Sequence, residues 1–183
     1  MKQRGFTIIE LLVVIAIIGI LASVVLSSLN AARDKAKVSQ TASQVKELRT
    51  ALMMFVIDTG RAPTDCGLTC TTASDPFNNA MGVPSWSGPY LPTDLSIFAH
   101  QWGGHMTIGF SDLDGDSVED LYVFIDDDRP QTNSNDNQGT IPLESMIAID
   151  AILDDGDIST GEVRGGGEWT TAPVGELVIR VTP

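Results

Sequence analysis

Residues 1–29 read MKQRGFTIIELLVVIAIIGILASVVLSSL, and this stretch decides the architecture. Two basic residues, Lys2 and Arg4, precede Gly5. An apolar run then extends to Leu29 with one ionisable side chain, Glu10, near its start. As a helix, Phe6–Leu29 is long enough to cross a hydrocarbon core of ~30 Å, which takes about 20 residues. A carboxylate inside such a run costs roughly 2.5–3.5 kcal/mol on insertion scales and calls for a functional reason. A secretory signal does not fit. Its apolar region spans about 7–15 residues and ends at an Ala-x-Ala-like site, whereas this run is longer and its small residue comes first.

The position of Glu10 suggests a reason. A cut after Gly5 would leave Phe6 with a free amino group, and Glu10 lies four residues on, one helical turn away at similar membrane depth. A neighbouring helix that offered its own amine to this carboxylate would neutralise both charges in lipid, which is a mechanism for many copies to associate. Gly19, Ser23 and Ser27 also lie four apart on one face, and small residues in that pattern allow close helix approach in lipid.

At these residues the chain resembles the type IV pilin superfamily, which includes major and minor pilins and the pseudopilins of type II secretion. The leader ending in Arg4-Gly5, then Phe6, then Thr7-Ile8-Ile9-Glu10-Leu11-Leu12-Val13-Val14 match the family's processing and assembly signature. The resemblance implies that a prepilin peptidase cuts between Gly5 and Phe6 and methylates the Phe6 amine, with Glu10 setting subunit register. It also implies a single pass through the inner or cytoplasmic membrane, followed by a helical filament of like or related subunits in the periplasm or at the cell surface. Gly19 falls where the family often has a helix-weakening glycine, but Ser27 stands where many members carry proline.

Charge divides the chain. Of 24 acidic residues, 21 lie from Asp58 onward, against four basic ones there (Arg61, Arg129, Arg164 and Arg180). So acidic a distal region repels polyanions, so no specific nucleic-acid partner is inferred; it suits a solvated exterior, a divalent cation or a basic partner. Basic residues flank the apolar run on both sides, so the positive-inside rule gives no decisive orientation. Cysteine usage is more telling. Cys66 and Cys70 are the two cysteines of the chain and sit in a Thr-, Pro- and Gly-rich stretch. A C-x3-C loop closing a small disulfide is the favoured reading and places the domain on the oxidising side of a membrane. Part of a zinc site is the alternative, with His100 and His105 as the available histidines; otherwise these histidines are structural or exposed.

Val38, Val45 and Leu52 repeat every seven residues, as do Thr41, Leu48 and Phe55, the mixed spacing of an amphipathic helix. One continuous helix is therefore expected from about Thr7 to about Asp58, stopped by Asp58-Thr59-Gly60-Arg61-Ala62-Pro63. Residues 62–94 read as a long connection wrapping that helix. Met106–Phe110 and Leu121–Ile125 read as short strands, Asp126–Thr140 as a polar loop, Pro142–Leu153 as a short helix, and Glu176–Val181 as a last strand. The expected fold class is α+β, with a long N-terminal helix on a small antiparallel sheet, as in type IV pilins. Four segments follow: residues 1–5 as leader, 6–29 as membrane and assembly helix, 30–60 as its amphipathic continuation, and 61–183 as an acidic globular domain. The phrase from Ile149 to Gly156, with Gly161 and Arg164, also resembles a recurrent C-terminal segment of bacterial pilin-like proteins.

A second chemical signal is Asp112-Leu113-Asp114-Gly115-Asp116-Ser117-Val118-Glu119-Asp120. Carboxylates at positions one, three, five and nine around a glycine can converge on calcium, which takes six to eight oxygens. An EF-hand would need Glu at position twelve, where Val123 stands. The loop instead resembles the strand-flanked acidic calcium loops of integrin-type propeller repeats. By that resemblance Asp112, Asp114, Asp116 and Asp120 supply side chains and Val118 its carbonyl, and calcium is the expected cofactor. Asp126–Asp128 is a weaker acidic group. Asp154, Asp155 and Asp157 read as the cap of a helix end and turn.

Nothing marks an enzyme: there is no local Ser-His-Asp signature, phosphate loop or H-E-x-x-H. The chain reads as the precursor of a filament subunit, with a type II pseudopilin, or a membrane-retained calcium-dependent binding protein, as the alternatives.

Overall fold

The computed structural model describes residues 5, 7–64, 66, 70–79, 81–112, 117–118, 120–130, 138–165 and 175–181. Phe6, Asp114 and Asp116, and the leader residues 1–4, lie outside them. The first element, α1 (Ile8–Thr59), is an unbroken helix of 52 residues. Contacts divide the chain into two compact units, 1–36 and 37–183, and α1 runs through both.

In the first unit every described residue is exposed, and large apolar side chains from Ile8 (79%) to Leu29 (43%) cover the helix on all sides. A helix apolar all round is one whose surroundings are themselves apolar. This part of α1 is long and apolar enough to cross a membrane, and none of it is buried in the protein itself. Ser23 and Ser28 turn their hydroxyls back onto the Ile20 and Val24 carbonyls, at 2.7 and 3.1 Å, so neither leaves a polar group unsatisfied in lipid.

In the second unit the seven-residue spacing becomes a buried stripe: Val38, Thr41, Ala42, Val45, Leu48, Ala51, Leu52 and Phe55. The helix ends where Gly60 takes a left-handed conformation (φ 67°) and its N–H donates to the Val56 carbonyl at 2.9 Å. Glycine adopts that conformation without steric cost, which is why it ends helices. The stripe packs on a four-stranded antiparallel sheet of β1 (Met106–Ser111), β2 (Asp120–Ile125), β3 (Val163–Gly165) and β4 (Leu177–Arg180), in the order β1-β2-β4-β3. The β1–β2 hairpin is in register from Met106 opposite Ile125 to Ser111 opposite Asp120. A second helix, α2 (Leu143–Leu153), precedes β3.

The fold is therefore α+β, as the residue patterns indicate, with strand ends within a residue or two of expectation. The short β3 was not anticipated. It pairs with β4 through Val163 opposite Ile179, and both side chains are fully buried. The connection after Pro63 contributes Phe77 and Tyr90, whose rings meet Phe55 edge-on at 6.1 and 5.7 Å. Asp75, fully buried, anchors that connection by accepting the Phe77 N–H at 2.8 Å and the Leu95 N–H.

Candidate functional site

The start of α1 is the first candidate. The Thr7 N–H and hydroxyl both donate to Glu10 Oε2, at 2.9 and 2.8 Å, and the Glu10 N–H donates to Thr7 Oγ1 at 3.3 Å. This is a reciprocal capping box, which satisfies amide donors that have no partner within the helix. The sequence reading assigned Glu10 an intermolecular role alone. Its capping role was legible as Thr7-Ile8-Ile9-Glu10, a Thr followed three residues later by Glu.

The acidic loop is the second. Asp112 Oδ2 accepts the Ser117 N–H at 2.9 Å, and Ser117 has a left-handed backbone (φ 69°). Asp120 begins β2 and pairs with Arg180 at 3.3 Å, so this carboxylate has a cationic neighbour across the sheet. The hairpin brings Asp112, Val118 and Asp120 to one end of the sheet. The remaining candidate ligands, Asp114 and Asp116, are not among the described residues.

Cys66 and Cys70 form a disulfide with each other. The histidines are buried and structural: His100 Nε2 bonds the Asp126 carbonyl and His105 Nε2 the Leu95 carbonyl, each at 2.9 Å. Burial lowers both pKa values, that of His100 to about 4, so each is neutral near pH 7. Neither arrangement leaves a thiolate pair for zinc.

Among the described residues, two further acidic groups each bring three carboxylate oxygens within 4.8 Å of one another, close enough to hold a metal ion. One is Asp126, Asp127 and Asp128, just past β2. Asp126 and Asp127 are buried at 2% and 1% exposure, although the sequence places them in a polar loop. Asp126 Oδ1 accepts the Asp128 N–H at 2.9 Å, while Oδ2 has no hydrogen bond. Burial, with the nearby Asp128 and Asp127 charges, raises the Asp126 carboxyl to about 6. Burial and the same three aspartates raise Glu176 to about 7. The other group is Asp150, Asp154 and Asp155, at the end of α2.

A family model described as the prokaryotic N-terminal methylation motif matches residues 1–26. A second, described as type II secretion system (T2SS), protein G, matches residues 28–138, more than half of the chain. The chain belongs to the type II secretion system protein G family. Core protein G of Aeromonas hydrophila is 33% identical over 132 residues, covering 65% of this chain and 89% of that protein. Core protein G of Klebsiella michiganensis is 47% identical over 63 residues, but these span 34% of this chain and 44% of that relative, less than half its length. The type IV major fimbrial protein FimA of Dichelobacter nodosus is 38% identical over 72 residues, 39% of this chain and 46% of that protein. No solved structure gives a significant match. The protein G family is one of structural pilin-like subunits, not enzymes. Residues 139–183, which supply α2, β3 and β4, lie beyond both matched segments.

Proposed function

We propose that this chain is made as a precursor, cut between Gly5 and Phe6, methylated on Phe6, and assembled through α1 into a pseudopilus-like filament. The observation that carries this reading is the part of α1 from Ile8 to Leu29: a helix exposed on every side, with large apolar side chains all round it and one carboxylate, Glu10, in its first turn. Such a surface is stable in a bilayer or against copies of itself. Before assembly the chain spans the cytoplasmic membrane once. The acidic domain then lies on the oxidising side, consistent with the Cys66–Cys70 disulfide. The match to core protein G over residues 28–138 favours a type II pseudopilus over a type IV pilus.

Calcium is part of the same reading. Asp112, Asp114, Asp116 and Asp120, with the Val118 carbonyl, would supply hard oxygen ligands at the β1–β2 turn. Asp120 would then be shared between the ion and Arg180.

Expression with a secretion apparatus and a prepilin peptidase tests the filament. The chain should enter the sheared filament fraction, and should remain in the membrane when the peptidase is deleted. A chain that is never cut and stays in the membrane, yet binds calcium, would instead be an anchored binding protein.

A further inference from the structure

We propose that the exposed face of α2 docks on a second copy of this chain, against residues 29–36 of that copy's α1. The contact rests on the filament assembly proposed above. Ser145, Met146, Ile149 and Asp150 form the buried face of α2. The opposite face of an ordinary surface helix is polar. Here Leu143 (56% exposed), Ile147 (40%) and Ala151 follow one another at four-residue spacing, with Ile152 beside them. A helix apolar on both faces is one that is covered on both faces. Among the described residues, the domain covers only one of them.

Charge identifies the cover. Glu144 at the start of α2, and Asp154 and Asp155 just past its end, are exposed acids at either end of the apolar stripe. The last turn of α2 carries no basic residue. Most of the distal region is acidic too, so another copy of that surface would be repelled. Positive charge gathers earlier, where residues 31–49 hold Arg33, Lys35, Lys37, Lys46 and Arg49 against Asp34 and Glu47. Two of these cations are already engaged. Lys37 lies 5.5 Å from the centre of the Trp102 ring, and Arg49 donates to the Arg180 carbonyl at 2.7 Å. Arg33 and Lys35 are exposed, and neither forms an ion pair with another described residue.

The same stretch of α1 lacks cover of its own. The apolar run ends at Leu29 and the first buried residue of α1 is Val38, so residues 30–36 are helix exposed on every side. Leu29, Ala32, Arg33 and Ala36 share one face, at three- and four-residue spacing. The two alanines let another helix approach closely, Leu29 adds apolar surface, and Arg33 carries the charge opposite to the α2 acids. Apolar burial supplies affinity in such a contact, while the charges set orientation and exclude an acidic neighbour. The two surfaces differ, so the contact is head-to-tail, and where it does not close into a ring it propagates as a helical filament. Because α2 lies beyond the residues 28–138 that match protein G, this contact belongs to the part of the chain outside that match.

Thiols introduced into the full chain, cross-linked in sheared filaments with a short bis-maleimide, test the contact. Cys66 and Cys70 are bonded to each other and do not react. Ala36→Cys with Ile147→Cys in one chain should give a ladder of dimers, trimers and longer species, and either substitution alone should give none. Leu143→Lys with Ile147→Lys changes exposed side chains, so circular dichroism and membrane retention should be unchanged while filament yield falls. Filaments of the double-cysteine chain that give no ladder overturn the contact and leave the filament reading standing; Arg33 and Lys35 would then face lipid headgroups. Dimers from Ile147→Cys alone would pair α2 with α2 and overturn the head-to-tail order. Normal filament yield from the double-lysine variant overturns the contact as well. A wild-type chain that forms no filament overturns the filament reading and the contact together.

Discussion

Removing the Glu10 charge separates two roles that one carboxylate performs. In the free subunit Glu10 completes the capping box with Thr7. In the proposed filament it meets the Phe6 amine of an incoming subunit. Glu10→Leu loses the carboxylate half of the capping box and keeps the Thr7 Oγ1 half, which costs at most about 1 kcal/mol. It also removes a charge whose insertion costs roughly 2.5–3.5 kcal/mol. Insertion of the variant is thus favoured by about 2 kcal/mol net. Assembly moves the other way. Leaving one member of a buried charge pair alone costs about 2–5 kcal/mol, at least roughly 30-fold in subunit association. Glu10→Gln decides between the roles, because its amide oxygen keeps the capping box and its charge is gone. Both variants should stay in the carbonate-resistant membrane fraction, and both should be depleted from sheared filaments at equal expression. Normal filament yield from Glu10→Gln, with Glu10→Leu defective, would show that the cap matters and refute the electrostatic register.

Calcium at the β1–β2 turn should raise the melting temperature of the full chain in detergent. An ion that binds only the folded form stabilises by about 2.7 kcal/mol at a hundredfold excess over Kd, and less for the weak affinities of extracellular modules. Asp114→Ala with Asp116→Ala should reduce the shift, and a wild-type melting temperature indifferent to several millimolar calcium would reduce the loop to an acidic turn. Stability in chelator should also depend on pH near neutrality. Glu176 and Asp126 titrate near 7 and near 6 in the folded chain, above their ordinary values, so they favour the protonated folded state and their contribution is lost as pH rises through those values. His100 and His105 are shifted down and act oppositely, but only as pH falls below about 6.5. The melting temperature should therefore fall between pH 6.5 and 8, and Glu176→Gln should flatten that slope; an unchanged slope in the variant would place the titration elsewhere.

The parts of this molecule that were legible in the sequence are those whose burial is periodic. Val38, Val45 and Leu52 announce the buried face of α1, and Leu121, Val123 and Ile125 alternate inward along β2. The strand β3 carries no such signal. Val163-Arg164-Gly165 has one apolar side chain, and its pairing comes from β4 and from the Asp154 carboxylate that receives its first amide. The acidic groups illustrate the same limit. Aspartate is ordinarily exposed, so nothing local to Asp126, Asp127 or Asp150 shows that β2, β4 and α2 bury them. The Asp112–Asp120 spacing stands out in the sequence. Asp150 stands out only once α2 has folded, because its burial is a tertiary property.

The account rests on release of the chain at Gly5 and its assembly through the new Phe6 terminus. Mass spectrometry of the protein recovered from sheared filaments tests this most directly. The account predicts a chain that begins at Phe6 and is heavier by one methyl group on that residue's amine. Filaments whose subunits retain an intact Met1 terminus would contradict it.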